Sequence, residues 1–294
     1  MAIFKGTACA MVTAFTPNGS IDYTAQKDII EHLIKNKIDA IVVLGTTGEP
    51  STMTETERLE LLTFTVKTVN KRVPVIAGTG CNCTKDTAEF SKEATARGAD
   101  ALMVVTPYYN KCTQDGLVAH YQAISDAVVL PIIAYNVPAR TNVNILPSTA
   151  VKLSKIKNVV ALKEASGDMN QIQEIIRLTK GSLDIYSGDD PLNVVSCYMG
   201  AIGAISVAAN AIPKRMVDMT NAAIKGDIKK ANTLYFEVSE FIKNLFIEVN
   251  PIPVKKAMEY LGFKTEYLRL PLTAMTDGNS QILLASMKKL GLVK

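Results

Sequence analysis

Short β-branched runs alternate with longer helical patterns almost from one end of the chain to the other, and that rhythm admits few folds. Each run needs parallel neighbours, and the intervening helices cross over the sheet. The runs cover 7–13, 40–44, 73–77, 101–105, 132–135, 159–162, 183–186 and 203–207. They are continuous in apolar content, as strands buried on both faces are. Eight such runs close a (β/α)8 barrel, the TIM-barrel class. Past about residue 225 the strand signal stops, and 229–247, 253–261 and 280–290 read as helices. The expected division is therefore a barrel over 1–224 carrying the active site and a helical C-terminal domain over 225–294. A length of 294 residues accommodates one barrel plus this appendage.

The crossover segments carry helix signals of their own. Over 54–71, Glu55, Glu57 and Glu60 fall in the early turns while Lys67, Lys71 and Arg72 come late, matching the helix dipole.

Charge excludes several classes of partner. Lys+Arg number 32 against Asp+Glu 28, a net +4 with the signs interspersed, so no basic block is present to track nucleic-acid phosphates. The longest strongly apolar stretch, 127–135, is broken by Pro131 and falls far short of the ~20 residues of a spanning helix. Neither nucleic acid nor membrane is an expected partner. The opening residues show no secretory leader, which makes the cytoplasm the expected compartment. Five cysteines, an odd number in a chain long enough to bury its own core, read as reduced thiols. Cys81 and Cys83 form the only close pair, and with His32 and His120 far away in sequence no metal is expected.

Several strand runs end in loops rich in Gly, Pro, Asn or Thr, and in a barrel such loops share the C-terminal face where active sites sit. Lys163 stands out, because a charged side chain at the end of a buried strand is expensive. Alternation points Ala161, Lys163 and Ala165 to one face, leaving room beside the amine for a carbonyl compound. Burial favours the neutral amine, which attacks a ketone to give a Schiff base. The competing reading is a buried ion pair with Glu164 or another carboxylate.

Tyr135 closes its strand near the same rim, as a proton carrier or as packing. Thr46 and Thr47, between Gly45 and Gly48, offer amides and hydroxyls to a carboxylate, or merely cap a turn. Arg140 follows Pro138, and its fork suits a carboxylate or phosphate as well as it suits solvent. Tyr108 and Tyr109 read as interface aromatics. Asp189-Asp190, just before Pro191 and a helix, reads as a cap rather than a metal site.

Ordered motifs then add a resemblance that covers essentially the whole chain. Gly45-Thr46-Thr47-Gly48-Glu49, Thr106-Pro107-Tyr108-Tyr109-Asn110 and Tyr135-Asn136-Val137-Pro138 with Arg140-Thr141 are followed by Leu162-Lys163-Glu164-Ala165, Ser187-Gly188-Asp189-Asp190 and Asn250-Pro251-Ile252-Pro253-Val254-Lys255. The chain resembles the dihydrodipicolinate synthase branch of the pyruvate-dependent class I aldolases, whose other well-known branch is N-acetylneuraminate lyase. The resemblance implies condensation of pyruvate with L-aspartate 4-semialdehyde to 4-hydroxy-tetrahydrodipicolinate, on the route to diaminopimelate and lysine, with no cofactor.

By that similarity Lys163 forms the imine with pyruvate and Tyr135 relays protons. Thr46 links Tyr135 to Tyr109, which reaches in from a neighbouring subunit of a tight dimer. Thr47 holds the pyruvate carboxylate, and Gly188 and Ile205 line the pocket through backbone groups. The implied assembly is a homotetramer of two tight dimers. Arg140 favours the synthase branch, since a small semialdehyde needs its carboxylate gripped where a sialic acid lyase meets a polyol. Another aldolase of the family, acting on a sugar acid or hydroxy acid, is the alternative.

In feedback-inhibited members lysine binds near the segments matching 50–58 and 82–86, beside Tyr108. Glu55 and Arg58 replace histidines often found there, and a cation at Arg58 predicts weak or absent lysine inhibition. Two unrelated functions compete with this one. A phosphate-binding barrel expects a glycine-rich loop after its last strands, where this chain has Val207-Ala208-Ala209-Asn210. A catalytically silent keto-acid sensor needs no complete proton relay, yet Lys163, Tyr135 and Thr46 are all present.

Overall fold

The computed structural model describes residues 2–294. Among them the strands are β1 (Gly6–Ala10), β2 (Ala40–Val43), β3 (Val75–Gly78), β4 (Ala101–Val105), β5 (Ile132–Asn136), β6 (Val159–Glu164), β7 (Asp184–Ser187) and β8 (Gly203–Ser206). Each strand pairs in parallel with the next, and β1 pairs with β8 to close the barrel. The helices are α1 (Tyr23–Lys35), α2 (Glu55–Val69), α3 (Thr84–Ala96), α4 (Gln114–Ala127), α5 (Pro138–Thr141), α6 (Pro147–Leu153), α7 (Met169–Thr179), α8 (Asn193–Met199), α9 (Pro213–Ile224), α10 (Ile228–Asn244), α11 (Ile252–Tyr260) and α12 (Asp277–Lys289).

The strand edges differ from the sequence reading for local reasons. The run 7–13 stops at Ala10, because beyond it side chains take over the backbone amides. Asn210 Oδ1 accepts from Val12 N at 3.0 Å, and Gln26 Oε1 accepts from Ala14 N at 2.9 Å. The run 73–77 begins later, since Pro74 has no amide to donate. In the other direction β6 extends through Glu164, which puts Lys163 inside the strand.

Helix α2 begins where its sequence says it should. Thr54 Oγ1 accepts from Glu57 N at 3.2 Å while Glu57 Oε2 accepts from Thr54 N at 2.8 Å. This reciprocal cap contributes about 1 kcal/mol.

Period-two alternation sorts the strand side chains into two apolar shells. Ala8, Val42, Ile76, Met103, Ile133, Tyr135, Ala161, Tyr186 and Ile205 pack inside the barrel. Their neighbours, such as Cys9, Ile41, Ala134, Leu162 and Ile185, pack outward under the helices. At the N-terminal mouth Phe4 stacks on Tyr186 with centroids 4.3 Å apart, and the Tyr186 hydroxyl donates to the Phe4 carbonyl at 2.7 Å. That plug closes the floor of the barrel. Where β8 meets β1, a Cβ on Gly203 would lie 2.1 Å from the Gly6 carbonyl oxygen, so closure needs glycine.

A turn with Gly226 at φ +75 separates α9 from α10. The outer apolar core runs on without a break into Val238, Phe241, Ile242, Val254, Met258 and Leu283 of the C-terminal helices. Among the described residues, no helix is long and apolar enough to cross a membrane.

Candidate active site

A cavity of about 890 Å³ opens at the C-terminal ends of the strands, and Lys163, Tyr135, Thr46, Thr47, Arg140 and Gly188 all line it. These residues come from four different strand ends. The far wall is α10, with Tyr235, Ser239 and Lys243, and the segment that carries Asn250.

Lys163 reaches the cavity from inside the sheet. In register it stands opposite Tyr135 of β5 on one side and Tyr186 of β7 on the other. It is 5% exposed, and its Nζ lies 4.1 Å from the centroid of the Tyr135 ring. The expected alternation holds, for Ala161 packs in the inner shell and Leu162 in the outer one.

Glu164 does not pair with Lys163. Its carboxylate accepts from Asn136 Nδ2 at 2.9 and 3.1 Å, from Ser166 N at 2.7 Å and from Gln171 Nε2 at 3.3 Å. Burial pushes its pKa above the usual carboxylate value, opposed by those hydrogen bonds. The two neighbours in sequence thus serve opposite faces of the sheet.

Gly188 follows β7 directly and lies against the lysine stem. A Cβ there would sit 2.8 Å from Ala165 Cβ and 2.9 Å from Lys163 Cε, closer than carbon atoms pack.

Thr46 and Thr47 form a 3-10 turn, Thr46–Gly48, at the end of β2. As opening residues of a helical turn their amides have no intrahelical acceptor. The turn is anchored from behind, where Thr13 Oγ1 donates to the Gly48 carbonyl at 2.7 Å. Arg140 lies on α5, which Pro138 starts. Its Nη2 donates to the Asn250 carbonyl at 3.2 Å.

Asn250 is the residue that sequence reasoning passed over. It belonged to a recognised motif but had no chemical signal of its own, as its partners lie more than a hundred positions away. Its Nδ2 donates to Thr47 Oγ1 at 3.0 Å, so the Thr47 hydroxyl, already accepting, has its own proton free for a carboxylate. One residue thereby touches both the Thr47 and the Arg140 arms of the site.

The reading of Asp190 as a helix cap is corrected. Asp190 is 2% exposed, and its Oδ2 accepts from Val207 N at 3.0 Å and Ala208 N at 2.8 Å. It ties the segment after β8 to the segment after β7, a contact between neighbouring strand ends that local sequence does not reveal. Those bonds, with Ala209 N donating to Ser206 Oγ at 3.0 Å, also consume amides that a phosphate would need. Asp189 instead faces the cavity, and burial together with the Asp190 charge pushes its carboxyl up to about 6.

Two expected site residues stand apart from this cluster. Ile205 is 1% exposed, with its side chain in the inner apolar shell rather than on the cavity wall. Tyr109 is 91% exposed and has φ +71, a strained conformation for an aromatic residue. Its neighbour Tyr108 lines a second cavity of about 230 Å³, together with Thr46 and Tyr135. Among the described residues, no three His, Cys, Asp or Glu side chains cluster as a metal site. All five cysteines are unpaired.

A model of the dihydrodipicolinate synthetase family matches residues 3–290. A 4-hydroxy-tetrahydrodipicolinate synthase of Thermoanaerobacter sp. is 49% identical over 295 residues, covering 100% of this chain and 99% of that protein. The chloride-inhibited dihydrodipicolinate synthase of Acinetobacter baumannii, solved with pyruvate, superposes with a TM-score of 0.97 at 40% identity, covering 98% of this chain and 99% of that one. A monomeric dihydrodipicolinate synthase variant gives a TM-score of 0.97 at 40% identity, covering 99% and 98%. Nearly half of all positions are shared with a relative along essentially the whole of both proteins, and the barrel superposes throughout, so this chain belongs to the dihydrodipicolinate synthetase family.

Proposed function

We propose that this chain is a carbon–carbon bond-forming lyase, a 4-hydroxy-tetrahydrodipicolinate synthase that condenses pyruvate with L-aspartate 4-semialdehyde. The observation that carries the reading is the buried Lys163, placed beside the Tyr135 ring in the same cavity as Thr47 and Arg140.

In this reading the Lys163 amine adds to the pyruvate ketone, and loss of water gives the imine. The imine nitrogen then serves as electron sink, so a methyl proton leaves and an enamine forms. Its terminal carbon attacks the aldehyde, and the alkoxide takes a proton through the Tyr135 phenol. Attack of the substrate's own amine on the imine carbon closes the ring and frees Lys163. The Thr47 hydroxyl holds the pyruvate carboxylate, Gly188 and Ile205 contribute backbone groups, and Arg140 grips the carboxylate of the semialdehyde. An assay that supplies pyruvate with L-aspartate 4-semialdehyde tests the activity. Consumption of both with the cyclic product supports it, whereas cleavage of a sugar acid in its place would move the chain to another branch of the family.

Tyr109 enters this scheme from a second copy of the chain. Its high exposure and strained backbone support a role completed across an interface, with Thr46 as the link to Tyr135. The assembly that follows is a tight dimer, paired again into a tetramer. Tyr109→Phe is expected to cut turnover about tenfold or more while leaving imine formation intact. Full turnover in that variant would remove the cross-subunit relay.

A further cavity of about 710 Å³ lies beside Tyr108, lined by Pro50, Glu55, Arg58, Asn82, Asp86 and Phe90 among others. The Arg58 guanidinium sits 4.4 Å from the Phe90 ring centroid and so already places a cation there. Lysine is expected to inhibit weakly or not at all. Titration of the initial rate decides this, and strong inhibition at submillimolar lysine would overturn it.

A further inference from the structure

The C-terminal helices grip the loop that carries Thr46 and Thr47 through a buried ion pair. Glu49 follows the 3-10 turn in a left-handed conformation, φ +57, and a second turn, Pro50–Thr52, begins directly after it. Lys255 of α11 donates from Nζ to Glu49 Oε1 at 2.7 Å, both side chains being 1% exposed. The other carboxylate oxygen accepts from Arg269 N at 3.2 Å. Lys255 also donates to the Tyr267 carbonyl at 2.6 Å, and its Nζ lies 4.6 Å from the centroid of the Phe15 ring.

Such a pair is a poor device for stability, since two desolvated charges return little more than they cost and uncharged side chains of similar volume fill the space as well. What it supplies is a fixed position. Glu49 N donates to the Thr46 carbonyl at 3.2 Å, and Thr52 Oγ1 donates to the Glu49 carbonyl at 3.0 Å. Any displacement of Glu49 therefore drags the turn with it. The Asn250 bond to Thr47 comes from the same C-terminal segment and reaches the same turn independently.

We propose that Lys255 is a positioning residue for pyruvate: acting through Glu49, it sets the height and tilt of the turn from which Thr47 holds the pyruvate carboxylate. This rests on the imine reading given above. Glu49 and Lys255 touch no reacting atom in that scheme. Their effect is expected on pyruvate binding and not on the aldehyde step.

The test compares the native chain with Glu49→Gln, which leaves Lys255 its bond to Tyr267, and with the double variant Glu49→Gln/Lys255→Met, which leaves no uncompensated charge. Borohydride trapping across a pyruvate series gives the half-saturating concentration for the adduct, and steady-state kinetics give each KM and kcat. In the double variant the pyruvate half-saturation and KM are expected to rise about tenfold, with the semialdehyde KM and kcat within about twofold, and a smaller rise of the same kind in Glu49→Gln. Unchanged pyruvate values in a folded variant, or both KM values and kcat drifting together with a falling Tm, would overturn the proposal. A native chain that traps no pyruvate would sink the imine reading and this inference with it, which the first sample alone reveals.

Discussion

Lys163→Met is expected to abolish the pyruvate adduct and to lower turnover by on the order of a thousandfold or more. Methionine fills nearly the volume of the lysine stem, and Lys163 is 5% exposed between Tyr135 and Tyr186 in the sheet register, so the fold has no reason to give way. Loss of activity in that variant is then loss of a nucleophile. The measurement is intact and peptide mass after pyruvate and borohydride. In the native chain the added mass maps to Lys163, and in the variant no mass is added. An adduct on a different lysine, with turnover kept, would move the chemistry elsewhere.

The second large effect comes from a residue with no side chain. Gly188→Ala is expected to cut turnover about a hundredfold, because its Cβ would meet Lys163 Cε at 2.9 Å and Ala165 Cβ at 2.8 Å. Neither neighbour has an easy retreat. Ala165 lies just beyond β6, and the lysine stem is enclosed by Tyr135 and the cavity wall. The amine must move off its line of attack by a sizeable part of an ångström. Slowed adduct formation with Tm kept within a few degrees is the expected pair of results. Native rates of adduct formation would show that Lys163 reaches its substrate by another route.

Much of the site was legible because chain direction does the sorting. In a parallel barrel every strand delivers its last residues to one face, so Lys163, Tyr135, Thr46 and Gly188 converge once the strands are recognised. The inner placement of Lys163 was likewise readable, from Ala161 and Ala165 at its period-two neighbours. Its pairing was not. Glu164 is next in sequence, but pleating turns it to the outer face, where Asn136, Ser166 and Gln171 satisfy it. Asp190 misled for a related reason: a carboxylate before a helix usually caps it, and here β8 happens to present two amides within reach.

The sequence by itself determined the barrel, because continuous apolar runs separated by amphipathic helices can bury both faces only as a parallel sheet, and eight such runs close it. It also determined which residue types crowd one rim, since that follows from chain direction. Tertiary structure alone decided what holds the rim in place. Asn250 on Thr47 and Arg140, and Lys255 on Glu49, join residues more than a hundred positions apart. A hydrogen bond or ion pair depends on separations of a few ångströms in space, and no local periodicity encodes that.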